Sequence, residues 1–423
     1  MKAYPIENTR HLDPLLDAIG DRRIVLLGEA SHGTSEYYNW RKVITKRLIE
    51  EKGFDFIAVE GDWPECNEIN RFVKGYSDAA AEPLPAVEVF GRWPTWMWGN
   101  WEVVALVKWL WEYNEGRSAE NRIGFYGLDI YSLYDSLERV LNYLSANDGE
   151  TMELARKAFG CFEPYHDDPK AYASATGRIV PKNCEEEVVA LLQEIKERLP
   201  AGGNHEEAAF NNEQNARVAV HAERYYRTML RGGAASWNVR DHHMMDTLKR
   251  LLDYYGPDSK AVVWAHNTHI GDARATDMSE VGMVNLGQLA REAYGPEACF
   301  LVGFGAYMGS LIAASRWGAS MQEMALPPAK KDSWEDRLFQ LGEGDLLVLS
   351  GDLRKEKALQ QRIPHRAVGV VYHPALETSR NYVPSLLSER YDAFLYFEHS
   401  EALHPLALHP VEEGLPQTYP WEV

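Results

Sequence analysis

Short apolar runs that stop abruptly at polar residues constrain this chain more than any other feature. Residues 23–28, 56–60, 122–127, 261–265 and 299–304 are such runs, and 346–349, 367–372 and 393–397 follow. Their hydrophobicity is continuous rather than alternating, as expected of strands covered on both faces in a mostly parallel sheet. Between the first two runs, Tyr37, Trp40, Ile44 and Leu48 recur at helical spacing. Strand, helix, strand at this interval reads as a βαβ unit. The expected fold is therefore α/β, with a mostly parallel central sheet flanked by helices.

Residues 132–255 read differently, as a helical insertion or subdomain. Val218, Ala222, Tyr225 and Met229 form one stripe, and Met244, Leu248, Leu251 and Leu252 form another. The pairs Gly202-Gly203 and Gly232-Gly233 act as breakers. Residues 1–131 then hold the first part of the α/β core. Residues 256–423 hold the remainder and an irregular tail around Pro405, Pro410, Pro416 and Pro420.

Composition narrows the possible partners. Lys and Arg number 44 against 63 Asp and Glu, a net charge of −19 that repels phosphate backbones, so nucleic acid is not an expected partner. No apolar run approaches the ~18 residues of a membrane span, and residues 1–20 lack a secretory-signal pattern. Cys66, Cys161, Cys184 and Cys299 show no paired spacing. A disulfide framework or zinc ribbon is not expected, and a reducing cytoplasm fits. A small-molecule substrate is the partner class left, and the oligomeric state stays open.

In an open α/β sheet, ligands bind beyond the carboxyl ends of the strands. The first run is followed by Gly28-Glu29-Ala30-Ser31-His32-Gly33-Thr34, and the second ends in Glu60-Gly61-Asp62. The third leads to Asp129, and the run at 261–265 leads to His266-Asn267-Thr268-His269. His32 with Glu29 and Glu60 makes a base-plus-carboxylate group, because imidazole exchanges a proton near neutral pH and a nearby carboxylate orients it. His266 and His269 can supply an acid or an oxyanion donor. Arg41 shares the helical stripe with Ile44 and Leu48, so it should meet Glu29 or Glu60.

Plainer readings stand beside these. Gly28 and Gly33 also suit a tight turn, with Ser31 or Thr34 capping the next helix. Asp129 also suits an N-cap, and His242 and His243 read as helix residues without a role. Trp93, Trp96 and Trp98 lie on a loop beside Pro94 and Gly99, where they build either a substrate wall or a satellite cluster. Trp109 belongs to a helix core. His266-x-x-His269 resembles half a metal site that His32 or Glu60 can complete, although the spacing is not that of a helix-borne HExxH. Gly-x-Ser-x-Gly is absent around Ser31, as are Walker and dinucleotide fingerprints.

The Gly28-to-Gly33 motif, the Glu60 strand end, the Trp-rich segment 90–103, Asn238-Val239-Arg240-Asp241, Ala265-His266-Asn267-Thr268-His269 and Ala402-Leu403-His404-Pro405-Leu406 together resemble the erythromycin esterase family. The resemblance spans roughly residues 20–405. It implies a hydrolase without a serine nucleophile, in which a histidine of the first motif activates water to open a macrolide lactone. By motif His32 is that base, with Glu29, Glu60, Arg41, His266 and His269 around it. Kinship with metal-using relatives keeps a divalent ion in view, although the expected site needs no cofactor.

The leading expectation is thus ester or lactone hydrolysis by water that His32 deprotonates. Glu29 or Glu60 orients the base, and His266, His269 or Arg41 faces the oxyanion. The alternatives are a metal-dependent hydrolase using His32, His266 and His269, a glycosidase using Glu29 and Glu60, and a non-catalytic binding module for a bulky apolar or sugar-bearing molecule held by the Trp93–Trp101 loop.

Overall fold

A computed structural model describes residues 2–165, 169–176, 183–198, 207–229 and 233–406. Eleven strands lie among them: β1 Tyr4–Pro5, β2 Ile24–Leu27, β3 Phe56–Asp62, β4 Gly124–Asp129, β5 Ala261–Trp264 and β6 Cys299–Ala314 come first. They continue with β7 Met321–Leu326, β8 Leu346–Leu349, β9 Ile363–Arg366, β10 Tyr382–Ser385 and β11 Ala393–Ser400. Nine form one sheet in the order β1-β8-β11-β6-β2-β5-β3-β4, with β7 paired to β6 off that path. From β11 to β4 every neighbouring pair is parallel. The fold is therefore mixed α/β with a mainly parallel sheet, as the apolar runs require.

The continuous hydrophobicity has the expected cause. Val25, Leu27, Ile57, Val59, Val262 and Trp264 point into one buried layer. Ile24, Leu26, Phe56, Ala58, Ala261 and Val263 point into the layer on the other face. The helix Ser35–Lys52 covers the first layer with Tyr37, Ile44 and Leu48, and stops at Gly53, whose left-handed φ of 66° suits a residue without Cβ.

Helices Leu133–Asn147, Thr151–Phe162, Glu185–Arg198 and Glu207–Met229 enclose a third apolar cluster, which includes Leu137, Leu191 and Tyr225. The next helix, Ala234–Tyr255, instead lays Met244, Leu248 and Leu251 on the sheet. Within the helical layer Cys161 is disulfide-bonded to Cys184. This corrects the expectation of unpaired cysteines, because folding back of the helices brings together residues whose spacing carried no signal. The cytoplasmic expectation loses that support. No helix among the described residues is long and apolar enough to cross a membrane.

Two further expectations are corrected. Residues 367–372 form no strand; Val368 and Val371 make isolated bridges to Ser31 and Ala314. The run is apolar because Val368, Val370 and Tyr372 are buried against the core as irregular backbone. The antiparallel pairs β6–β7 and β9–β10 were not foreseen either. Gly202, Gly203, Gly232, Pro410, Pro416 and Pro420 lie outside the described residues.

Candidate active site

Register puts the polar strand ends side by side. Leu27 and Val59 both pair with Trp264, so Gly28-Glu29, Glu60 and His266 emerge together at one edge. The loop after β2 is stitched down by backbone bonds. Glu29 O accepts from Asn267 N at 2.8 Å, Ala30 O from Val368 N at 2.8 Å, and Gly33 O from Ile312 N at 2.9 Å. A Cβ on Gly28 would meet Asn267 Oδ1 at 2.1 Å, and one on Gly33 would meet Ile312 O at 1.8 Å. Both glycines are therefore required by close approach.

This loop presents His32 with its Nδ1 2.8 Å from Glu29 Oε1, while Glu29 Oε2 accepts from Arg41 Nη2 at 2.6 Å. Arg41 is fully buried, its guanidinium 4.3 Å from the Tyr38 ring and 4.6 Å from the Trp264 ring. Glu29 thus takes a buried arginine on one oxygen and the His32 ring on the other, and with Nδ1–H donating to the carboxylate the Nε2 lone pair carries no proton. His32 lines a cavity of about 230 Å³, together with Glu60, His266, His269, Trp93 and Trp98. Glu29 and Arg41 lie behind this wall. They hold the imidazole, and Arg41 is not placed to meet an oxyanion.

His266 lies beside His32, with ring centroids 5.0 Å apart and the planes tilted by 45°. It caps the short helix Asn267–Ile270, its Nδ1 accepting from Thr268 N at 3.3 Å. The proton then sits on Nε2, a buried nitrogen without a partner. Burial drives this imidazole well below its ordinary pKa, and the neighbouring His32 adds to the effect.

Glu60 Oε2 accepts from His266 N at 2.7 Å, and its Oε1 from Arg240 Nη2 at 2.8 Å. Burial opposes the Glu60 charge, but His269, Arg240, His32 and His266 outweigh it and hold the carboxyl far below its usual range. Arg240 also forks onto Asp129, at 2.9 and 2.7 Å, and places Nη1 2.9 Å from His269 Nε2. His269 Nδ1 lies 3.0 Å from Asp241, and the ring stacks on Trp237 with centroids 4.5 Å apart. Burial disfavours the His269 cation, yet Asp241 and Glu60 prevail and raise its pKa. The contact with Arg240 requires a bare Nε2, so it describes the neutral ring; the protonated ring has Glu60 Oε1 within 3.5 Å.

Trp237, Arg240 and Asp241 share one face of their helix at i, i+3 and i+4. Arg240 and Asp241 had been read only as part of a family motif. Asp129 is not an N-cap, since its carboxylate is committed to Arg240. Ser132 holds the N-cap position of the helix after it, without a side-chain capping bond. His243 is buried rather than solvated, 2.6 Å from His221 and 3.2 Å from Asp129 O. Neither Ser31 nor Thr34 caps the helix by its side chain; their hydroxyls bond to each other at 2.5 Å. Trp93 and Trp98 line the cavity, whereas Trp96 is buried beside Trp93 with ring centroids 5.6 Å apart. The signal available for Arg240 was its place beside an Asp on an otherwise apolar helix face.

Among the described residues, one group of three possible ligands has its donor atoms within 4.8 Å of one another: Glu29, His32 and Glu60. The expected set of His32, His266 and His269 is not gathered in this way. Both oxygens of Glu29 and both of Glu60 are taken by hydrogen bonds, and each carboxylate pairs with a buried arginine. The arginines occupy Glu29 Oε2 and Glu60 Oε1, while Glu29 Oε1 and Glu60 Oε2 face the His32 ring and the His266 N–H. Glu29 has no face toward the cavity, which disfavours paired-carboxylate glycoside chemistry.

The sequence profile of the erythromycin esterase family matches residues 49–400. An erythromycin esterase type II from Escherichia coli is 24% identical over 73% of this chain and 75% of its own length. A putative hydrolase, YbfO, from Bacillus subtilis is 22% identical over 89% of this chain and 84% of its own. A solved Bacillus cereus protein has a TM-score of 0.78 at 20% identity, covering 96% of this chain and 97% of that one. A succinoglycan biosynthesis protein gives 0.77 at 20% identity, covering 95% of each chain. An erythromycin esterase variant in its open conformation gives 0.67 at 17% identity, covering 95% of this chain and 98% of that one. With the profile spanning most of its length, the chain belongs to the erythromycin esterase family of hydrolases.

Proposed function

We propose that this protein is a carboxylic ester hydrolase that opens an ester or lactone with water activated by His32. The observation that carries the reading is the line Arg41–Glu29–His32, which fixes the tautomer and leaves Nε2 on the cavity wall. Water at Nε2 gives up a proton as its oxygen attacks the acyl carbon, and the imidazolium formed is stabilised by Glu29. The carbonyl oxygen becomes an oxyanion, met by the Arg240 and His269 side chains on the cavity wall. Collapse expels the alkoxide, which recovers the proton from His32. Glu60 holds His266 and Arg240 in place. Trp93 and Trp98 supply an apolar wall for a bulky substrate. Macrolide lactones are one such substrate, and their hydrolysis would confer resistance.

Incubation with macrolides and simpler lactones, followed by mass spectrometry, tests this. A mass gain of one water that vanishes in His32→Ala is expected. Full hydrolysis by a folded His32→Ala protein would refute it.

A further inference from the structure

Beside the catalytic cavity lies a groove that shares Trp317 and Arg380 with it. Ser315, Arg316, Val371, His373 and Asn381 line the rest, and no Asp or Glu does so among the described residues. In a chain of net charge −19, a wall with only cationic and neutral side chains is unusual. Arg316, His373 and Arg380 are exposed and make no ion pair or side-chain hydrogen bond with any described residue. The carboxylate nearest Arg380 along its helix, Glu377, is buried and bonded to Arg366 Nε at 2.6 Å.

The backbone beneath is fixed. Ala314 exchanges bonds with Val370 O and Tyr372 N at 2.9 Å each, and Asn381 O accepts from Ala367 N at 2.9 Å. Two arginines on a rigid floor, beside an aromatic plane and open to the cavity, suit a planar or tetrahedral oxyanion.

We propose that this groove seats an anionic substituent, a carboxylate or a phosphate, of the ester hydrolysed in the cavity. Arg316 and Arg380 are then specificity-determining residues. That the bound molecule is an ester rests on the hydrolase reading, whereas anion capture does not.

Titration calorimetry of the full chain with phenyl phosphate, benzoate and neutral benzyl alcohol separates the two. Both anions should bind while the alcohol does not, and Arg316→Gln with Arg380→Gln should weaken anion binding at least about ten-fold. Tighter phenyl phosphate assigns a phosphate, and tighter benzoate a carboxylate. Absent anion binding, undiminished binding in the double variant, or equal binding of the alcohol would overturn the proposal. In parallel, a dicarboxylic half-ester should be hydrolysed about ten-fold better than its neutral counterpart of equal length, and the preference should collapse in the double variant. Anion binding with neither ester hydrolysed would overturn the hydrolase reading and leave the groove assignment standing.

Discussion

Two of the chain's imidazole–carboxylate couples pair His with Glu at different depths, one on the cavity wall and one sealed in the core. His32 Nδ1 is 2.8 Å from Glu29, and His365 Nδ1 is 2.6 Å from Glu335. His32 lines the cavity, so its far nitrogen is available. His365 is fully buried, with Nε2 3.4 Å from both Asn267 Nδ2 and Tyr391 Oη. Burial drives the His365 pKa down, despite Glu335. The same two side chains thus leave one imidazole facing a cavity and seal the other in the core.

The contrast breaks most readily at the two histidines. His32→Ala should reduce hydrolysis by about a hundred- to ten-thousand-fold in a protein that melts normally. His365→Ala should instead cost roughly 3 kcal/mol of stability by stranding buried Glu335, with kcat per folded molecule retained. Denaturant titration and initial rates on both variants decide the matter; comparable activity losses would dissolve the distinction.

Glu29→Gln leaves Arg41 buried without its counter-charge. A stability loss of roughly 3–5 kcal/mol is expected, together with a kcat deficit that a raised KM does not explain. The tryptophans extend the contrast: Trp96→Ala, behind the wall, should cost roughly 3–5 kcal/mol and spare KM. Trp93→Ala, on the wall, should raise KM about ten-fold for a bulky substrate.

The smallest effect concerns His404, whose Nδ1 is 2.7 Å from Glu102. That bond outweighs burial and raises the His404 pKa. The added stability is full below the unfolded value near 6.5 and is lost as pH climbs through the folded value. With His404 itself largely exposed, His404→Gln should therefore lower Tm by about one degree at pH 5.5 and not at pH 9.

The sheet and one edge of the site were legible because each strand announces itself within a few residues and ends in its polar group. His32, Glu29, Glu60, His266 and His269 all follow that rule. Arg240 does not, because it sits on a helix 111 residues from the Asp129 it binds. The pairing of Cys161 with Cys184 likewise depends on how helices fold back. Residues 367–372 misled because apolar content reports burial, while strand formation needs a neighbour in register.

The tightness around Gly28 and Gly33 carries one last implication. The base loop is located by main chain touching main chain, not by the side chains that surround a substrate. Pocket residues such as Trp93 or Arg380 are thereby decoupled from the imidazole, and libraries that reshape them should retune what is accepted without detuning the chemistry.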